Sequence, residues 1–292
     1  MARKTWLITG CSSGFGAEFT RQLLKRGDAV IATARGDASR LQSLKDVGAH
    51  TYSLDVTLPA ADIKAKVARM IEEVGEVDVL INNAGYVDAG FVEEKSEESW
   101  QKQFDANYFG TVKMTQAILP YFRSRQSGIV ALIGSLYGFG CPTAACAAYA
   151  GTKMALEALH ETLIHEAGPF GIKSIIFEPG ICRTEVFSDE NFKLDTTFSD
   201  PAYDEVRNGL FGWVKGTHSD GSHAGDSVKA VKVMIDVVKG EGVAEGKEMP
   251  TRLILGSDSV DFVKDKLEKT SALLKEWEVI GRSIDVAASA SV

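Results

Sequence analysis

The stretch Thr9-Gly10-Cys11-Ser12-Ser13-Gly14-Phe15-Gly16 constrains this chain more than any other. It packs three glycines into eight residues, follows the apolar run Trp6-Leu7-Ile8, and opens a helix-like segment over residues 17–26. A strand that turns this sharply into a helix begins a βαβ unit. Gly10 lets the chain leave the strand in a tight turn, Gly14 lets backbone N–H groups approach a ligand, and Gly16 allows close packing of helix on strand. Backbone donors gathered at a helix N-terminus favour an anion, so the turn reads as a cradle for the pyrophosphate of a dinucleotide. The spacing is Gly-x3-Gly-x-Gly and not the commoner Gly-x-Gly-x2-Gly, and glycine clusters also make plain turns, so the rest of the chain must carry the argument.

That chain alternates strand and helix. Gly27 ends the first helix and residues 29–34 form a β-branched run suited to a buried parallel strand. This strand ends in Ala34-Arg35, where a guanidinium suits the 2′-phosphate of NADP; Asp37, two residues on, is the competing group that would favour a ribose diol. A short helix over residues 39–47 leads to a third strand, 50–54, with Asp55-Val56 at its carboxyl end, the edge where open parallel sheets bind ligands. Ile63, Val67, Met70, Ile71 and Val74 repeat at threes and fours and mark a core-facing helix after Pro59. A fourth strand, 77–81, runs into Asn82-Asn83-Ala84-Gly85, a sharp turn of short amides and small residues.

Residues 96–125 read as two helices or one interrupted helix, with Asn107 near the interruption, and residues 129–135 as a fifth strand ending in Ser135. Tyr149 and Lys153 lie four residues apart on the next helix, hence on one face. A sixth strand over 172–177 ends at Glu178-Pro179-Gly180. From 181 to 226 periodicity is lost among scattered aromatics, the pattern of a lid or binding loop. A helix over 227–239 and a strand over 252–255 complete the sheet. A last helix over about 258–280 carries Val260, Val263, Leu267, Leu274 and Trp277 on one stripe. With no linker in sight, the expectation is one α/β domain over 1–292, with about seven parallel strands doubly wound by helices.

A net charge of -8 argues against nucleic-acid and anionic-membrane partners, which call for clustered Lys and Arg. Cys11, Cys141, Cys146 and Cys182 lack metal-site spacing, so reduced thiols are expected, with no metal. No segment approaches the ~20 apolar residues of a membrane span and no signal peptide is evident, which predicts a cytoplasmic protein.

Ser135, Tyr149 and Lys153 converge at the sheet edge where the dinucleotide would bind, and such a set can move protons during carbonyl–alcohol redox chemistry. A phenol near pKa ~10 is a poor acid–base at neutral pH, but an ammonium ~4 Å away is worth up to ~4 kcal/mol at an effective dielectric near 20, roughly three pK units. Taken with Thr9-Gly-x3-Gly-x-Gly16, Asp55, Asn82-Asn-Ala-Gly85, Asn107 and Pro179-Gly180-x3-Thr184, in this order, the pattern resembles the short-chain dehydrogenase/reductase family over about residues 5–256. The resemblance implies a Rossmann-like fold, Tyr149 as general acid/base, Ser135 bonded to the substrate oxygen, Lys153 on the nicotinamide ribose lowering the Tyr149 pKa, and Asn107 supporting a water relay to Lys153. It further implies Gly10, Ser12, Ser13, Phe15 and Gly16 at the pyrophosphate, Arg35 at the 2′-phosphate, and Asp55 and Val56 at the adenine. Asn82 and Ala84 would meet a ribose, and Pro179, Gly180, Ile181 and Thr184 the nicotinamide end. Ser13 departs from the pattern of some NADP-preferring members, which carry a basic residue there, so NADP rests on Arg35.

The expected function is NADPH-dependent reduction of a ketone or aldehyde, with a hydrophobic or aromatic substrate suggested by Tyr86, Phe91, Leu136, Tyr137 and Phe139. Alternatives are an NAD-dependent alcohol dehydrogenase and a non-redox cyclase or dinucleotide sensor on the same scaffold, the latter marked by loss of Tyr or Lys, both present here. A homo-oligomer, dimer or tetramer, is expected, and the helix after Leu255 is assigned to packing or subunit contact.

Overall fold

The computed structural model describes residues 3–182, 192–194, 198–210, 212 and 225–285. Strand β1 (Thr5–Ile8) turns into helix α1 (Gly14–Lys25), and β2 (Ala29–Ala34) returns parallel to β1, which completes the βαβ unit. The helix expected over residues 39–47 is instead a 3-10 turn, Ala38–Leu41, followed by one α-helical turn, α2 (Gln42–Lys45). Asp37 accounts for the tight start, since its carboxylate accepts from Ser39 N at 2.7 Å and caps the turn. Next come β3 (His50–Ser53), α3 (Ala60–Val74), β4 (Val79–Asn82) and a short β5 (Val87–Ala89) that alternation alone did not reveal.

The segment 96–125 is a single interrupted helix: α4 (Glu97–Phe104) passes through a π-helical turn, Asp105–Phe109, into α5 (Gly110–Arg125). The remaining elements are β6 (Gly128–Ile133), α6 (Ala147–Ala167), β7 (Ile172–Pro179), β8 (Phe192–Leu194), α7 (Ser227–Lys239), β9 (Arg252–Leu255) and α8 (Ser257–Arg282).

Seven strands form one parallel sheet in the order β3-β2-β1-β4-β6-β7-β9. The chain winds outward from β1 in one direction and, from β4, in the other. The carboxyl ends of β1 and β4 therefore diverge into a crevice where such sheets bind ligands. Strand residues alternate between two cores, as period-two geometry demands. Trp6, Ile8, Val30, Ala32, Val79 and Ile81 join Phe19, Leu23, Val231 and Met234 on one face, while Leu7, Ile31 and Leu80 join Ile63, Met70, Met114, Ile118 and Phe122 on the other. Burying each Leu, Ile or Phe contributes roughly 1.5–3 kcal/mol, which holds the sheet rigid beneath the loops at its edge.

The 181–226 region, expected as a loop, contains regular structure where it is described. β8 pairs in parallel with β5, and a 3-10 turn, Pro201–Tyr203, leads into a helical stretch over 204–210. Thr184, Phe187 and Trp213 lie outside the described residues.

Candidate active site

The turn after β1 is held by hydrogen bonds that leave few alternatives. Thr9 is 1% exposed, and its hydroxyl accepts from the backbone N–H groups of Asn83 and Ala84, each at 3.0 Å. Asn83 replies with its amide, donating to the carbonyls of Thr9 at 2.8 Å and Gly10 at 3.1 Å. Strand ends β1 and β4 are thereby stitched into one floor. Gly10 has φ +72°, and a Cβ there would lie 2.8 Å from Ala84 Cα, so both backbone conformation and space exclude a side chain. Gly16 serves packing alone: a Cβ on it would meet the Gly10 carbonyl oxygen at 2.4 Å. At the start of α1, Ser13 makes no side-chain capping bond, so the first-turn N–H groups of the helix face the cavity as an anion cradle. These residues fit the dinucleotide the sequence implies.

From this cradle one continuous cavity of about 290 Å³ extends in both directions. Of the expected residues, Gly10, Ser12, Ser13, Phe15, Arg35, Asp55, Val56, Ala84, Ser135, Tyr149, Lys153, Pro179, Gly180 and Ile181 line it. Gly16, Asn82 and Asn107 are not in the lining.

At one end stand Arg35 and a second guanidinium, Arg40, which sequence reasoning missed because its 3-10 turn was read as a regular helix. Asp37 does not line this end; its carboxylate is engaged in capping Ser39, a bond that holds its pKa below the usual value. Asp55 also lines the cavity, with one oxygen accepting from Thr57 N at 2.9 Å and Thr57 Oγ1 at 2.7 Å.

At the other end, β6 delivers Ser135 at its carboxyl terminus and α6 delivers Tyr149 and Lys153 one turn apart. Burial pushes the Tyr149 hydroxyl up to about 12, with the Ser135 hydroxyl acting in the opposite direction. Burial also pulls Lys153, only 8% exposed, down to about 8, against the attraction of Glu157 one turn further on. The sequence expectation that Lys153 lowers the Tyr149 pKa is not what this geometry gives. The ammonium sits 5.6 Å from the tyrosine ring centroid and donates to Ile133 O at 2.7 Å, while burial is the leading influence on the phenol and raises its pKa. Tyr137 stands edge-on to Tyr149 with ring centroids 5.4 Å apart and bonds Thr143 Oγ1 at 2.8 Å.

Asn107 is buried in the π-helical turn, where it clamps backbone: its Oδ1 accepts from Tyr86 N at 3.1 Å and its Nδ2 donates to Tyr86 O at 3.0 Å. Asn82 turns inward, donating to Thr115 Oγ1 at 3.1 Å, and its neighbour Asn83 forms the wall instead. Beyond β7, the Pro179-Gly180-Ile181 corner is fixed by Asp258 of α8, whose carboxylate accepts from Ile181 N at 2.7 Å. A Cβ on Gly180 would fall 2.1 Å from Asp258 Oδ1, so the absent side chain makes room for that carboxylate.

A last set of contacts anchors the region over the substrate end. Lys95 and Asp88 form a buried ion pair at 2.9 Å, Glu94 pairs with Arg207 and accepts from Asp200 N at 2.7 Å, and Tyr203 stacks on Phe91 with centroids 4.5 Å apart. The Glu94 and Phe91 contacts bind residues 200–207 to the segment after β5, and Leu210 reaches the cavity wall.

The description short chain dehydrogenase is that of a family model that matches residues 4–194. Oxidoreductase BOA17 of Botryotinia fuckeliana is 33% identical over 278 residues, covering 94% of this chain and 96% of that one. A short-chain dehydrogenase from Streptomyces avermitilis superposes with a TM-score of 0.85 at 37% identity, covering 97% of this chain and 99% of its own. A short chain dehydrogenase/reductase from Burkholderia phymatum, solved in complex with NAD, shares the fold at 19% identity, a TM-score of 0.73 and 98% coverage of both chains. With its parallel seven-stranded sheet and glycine-lined cradle, the chain belongs to the short-chain dehydrogenase/reductase family of oxidoreductases, which use a nicotinamide dinucleotide.

Proposed function

We propose that the protein reduces a ketone or aldehyde bearing a hydrophobic or aromatic group, reversibly, with NADPH as the hydride donor. The observation that carries this reading is that Tyr149, whose hydroxyl pKa is raised by desolvation, shares one cavity with Ser135, Arg35 and Arg40. The nicotinamide group, when bound, supplies the hydride. Tyr149 gives its hydroxyl proton to the carbonyl oxygen as that oxygen gains charge, and the Ser135 hydroxyl donates a second hydrogen bond to it. Lys153 holds the nearby ribose hydroxyls with the same ammonium that anchors it to Ile133 O. Asn107 acts as a positioning residue through Tyr86, and the first turn of α1 with Ser12, Ser13 and Phe15 holds the pyrophosphate.

Cofactor choice follows from charge. Two guanidiniums at the adenosine end suit a 2′-phosphate, while the carboxylate that would prefer a ribose diol, Asp37, is occupied as a cap. Asp55 and Val56 border the adenine, Ala84 a ribose, and Pro179, Gly180 and Ile181 the nicotinamide; Thr184 is proposed for the carboxamide from its position in the motif alone. The substrate end is lined by Val87, Leu136, Tyr137, Cys146 and Leu210, which favours an apolar molecule over a charged one.

The test is a panel of ketones and aldehydes graded by size, each offered NADPH and NADH, with cofactor absorbance as the readout. NADPH-dependent turnover of apolar carbonyls is expected. Tyr149→Phe should bind the cofactor normally and lose at least ~100-fold in kcat; near-normal turnover in that variant, or a preference for NADH in the wild type, overturns the reading.

A further inference from the structure

Helix α8 runs on past the contacts that root it. Its first turns are rooted, with Ser259 at 0% and Val263 at 3% exposure and Phe262 packed against Gly140, but every residue from Lys264 to the end of the helix is exposed. This free part is not polar. Leu267, Leu274 and Trp277 are 57%, 69% and 53% exposed, and they share with Val263, Thr270 and Gly281 a strict alternation of threes and fours. Leu273 and Ile280, 59% and 61% exposed, widen the stripe on one side. A repeat of three and four is the 3.5-residue period of a helix that pairs with another helix.

We infer that this face binds the same helix of a second copy of the chain, antiparallel, about a twofold axis near residue 272. The register follows from chemistry. Centred there, Leu267 meets Trp277 of the second copy, Thr270 meets Leu274, and Leu273 meets its own equivalent. On the flank beside this seam Lys264 faces Glu278 of the second copy, twice by symmetry. Gly281, the smallest residue of the seam, comes opposite Val263, where the second copy's body crowds the helix. The two Val263 anchors then stand roughly 27 Å apart, since 18 residues separate 263 from 281 at ~1.5 Å each, which puts the two bodies at opposite ends of the pair. A parallel pair loses this match, because it sets Leu273 against Glu278 and both bodies at the same end. Within its own helix Glu278 takes Arg282 Nε at 2.9 Å with one oxygen, an exposed contact that leaves the second oxygen for Lys264.

The experiment is light scattering after size exclusion at micromolar concentration, with helix content and carbonyl reduction followed in parallel. Leu274→Glu/Trp277→Glu should halve the mass of the assembly and leave helix content and reduction unchanged. Lys264→Glu or Glu278→Lys alone should raise the dissociation constant roughly tenfold, since two attractions become two repulsions. Together they should restore it to within about threefold of wild type. An unchanged mass in the double glutamate variant overturns the inference, as does a combined charge swap no tighter than either single one. Sedimentation with phosphatidylcholine vesicles that is lost in the glutamate variant at unchanged mass would assign the face to a lipid surface instead, and so also overturn it.

Discussion

Gly180 and Asp258 offer a test in which two damaging substitutions should be no worse together than one. Ile181 N donates to the Asp258 carboxylate at 2.7 Å, a charge-assisted bond worth about 1.5–3 kcal/mol. The same carboxylate sits in the first turn of α8, where the helix dipole adds about 0.3–1 kcal/mol. Asp258→Ala should therefore lose about 2–4 kcal/mol, and Asp258→Asn, which keeps the acceptor without the charge, about half as much. Gly180→Ala sets a methyl 2.1 Å from Asp258 Oδ1 and 2.4 Å from Oδ2, closer than any such contact survives. The carboxylate must leave, so the single glycine substitution loses at least what Asp258→Ala loses. The Gly180 backbone lies outside the left-handed region, so alanine itself meets no conformational penalty. In Gly180→Ala/Asp258→Ala the methyl fills vacated space, and the combined loss should stay near that of Asp258→Ala alone. Urea denaturation measures all four forms, and NADPH titration should follow the same order because this corner lines the cavity. Losses that add to within ~0.5 kcal/mol would refute the reasoning.

Arg35→Ala and Arg40→Ala should each lower the NADPH-to-NADH preference by roughly tenfold, and Asp37→Ala should leave it within about twofold, as read by titration with both cofactors; a preference moved only by Asp37→Ala would reverse the assignment. The pH dependence of kcat/KM reports the free enzyme, in which burial pulls Lys153 down to about 8 and pushes Tyr149 up to about 12. Reduction should hold steady below pH 8 and fall above it as the ammonium loses its proton, and a flat profile through that range would remove Lys153 from the mechanism. Lys95→Met strands the buried Asp88 carboxylate and should destabilise by about 3–5 kcal/mol in urea, with most of that recovered in Lys95→Met/Asp88→Leu.

The parallel sheet was legible because its strands, the polar edge strand β3 apart, are largely apolar runs that period-two burial must divide between two cores, and because Gly27, Gly48 and Gly75 punctuate the helices. The residues around the cradle were legible for a related reason: close backbone approach demands glycine, and few other needs do. What escaped were contacts made across the sequence. Nothing local distinguishes Asn83, which closes the cradle, from Asn82, which faces Thr115, because one residue along a strand end reverses the face. Asp258 lies 77 residues from the Ile181 it holds, and only the pairing of β7 with β9 brings them together. The expected lowering of the Tyr149 pKa by the Lys153 charge has no local sequence signal against it, because the desolvation that both side chains undergo depends on the fold around them. β5 and β8 are three residues each, too short for any periodicity to register.

The contacts that bind residues 200–207 have a consequence for how such a protein can change over generations. Asp200, Tyr203 and Arg207 hold that segment through Glu94, Phe91 and the backbone behind them, whereas Leu210 is the residue of the segment that meets the cavity. Attachment and substrate contact thus reside in different side chains. A mutation at Leu210 can reshape the pocket without loosening the anchoring contacts of residues 200–207, so new substrates can be sampled one residue at a time while the segment keeps its footing.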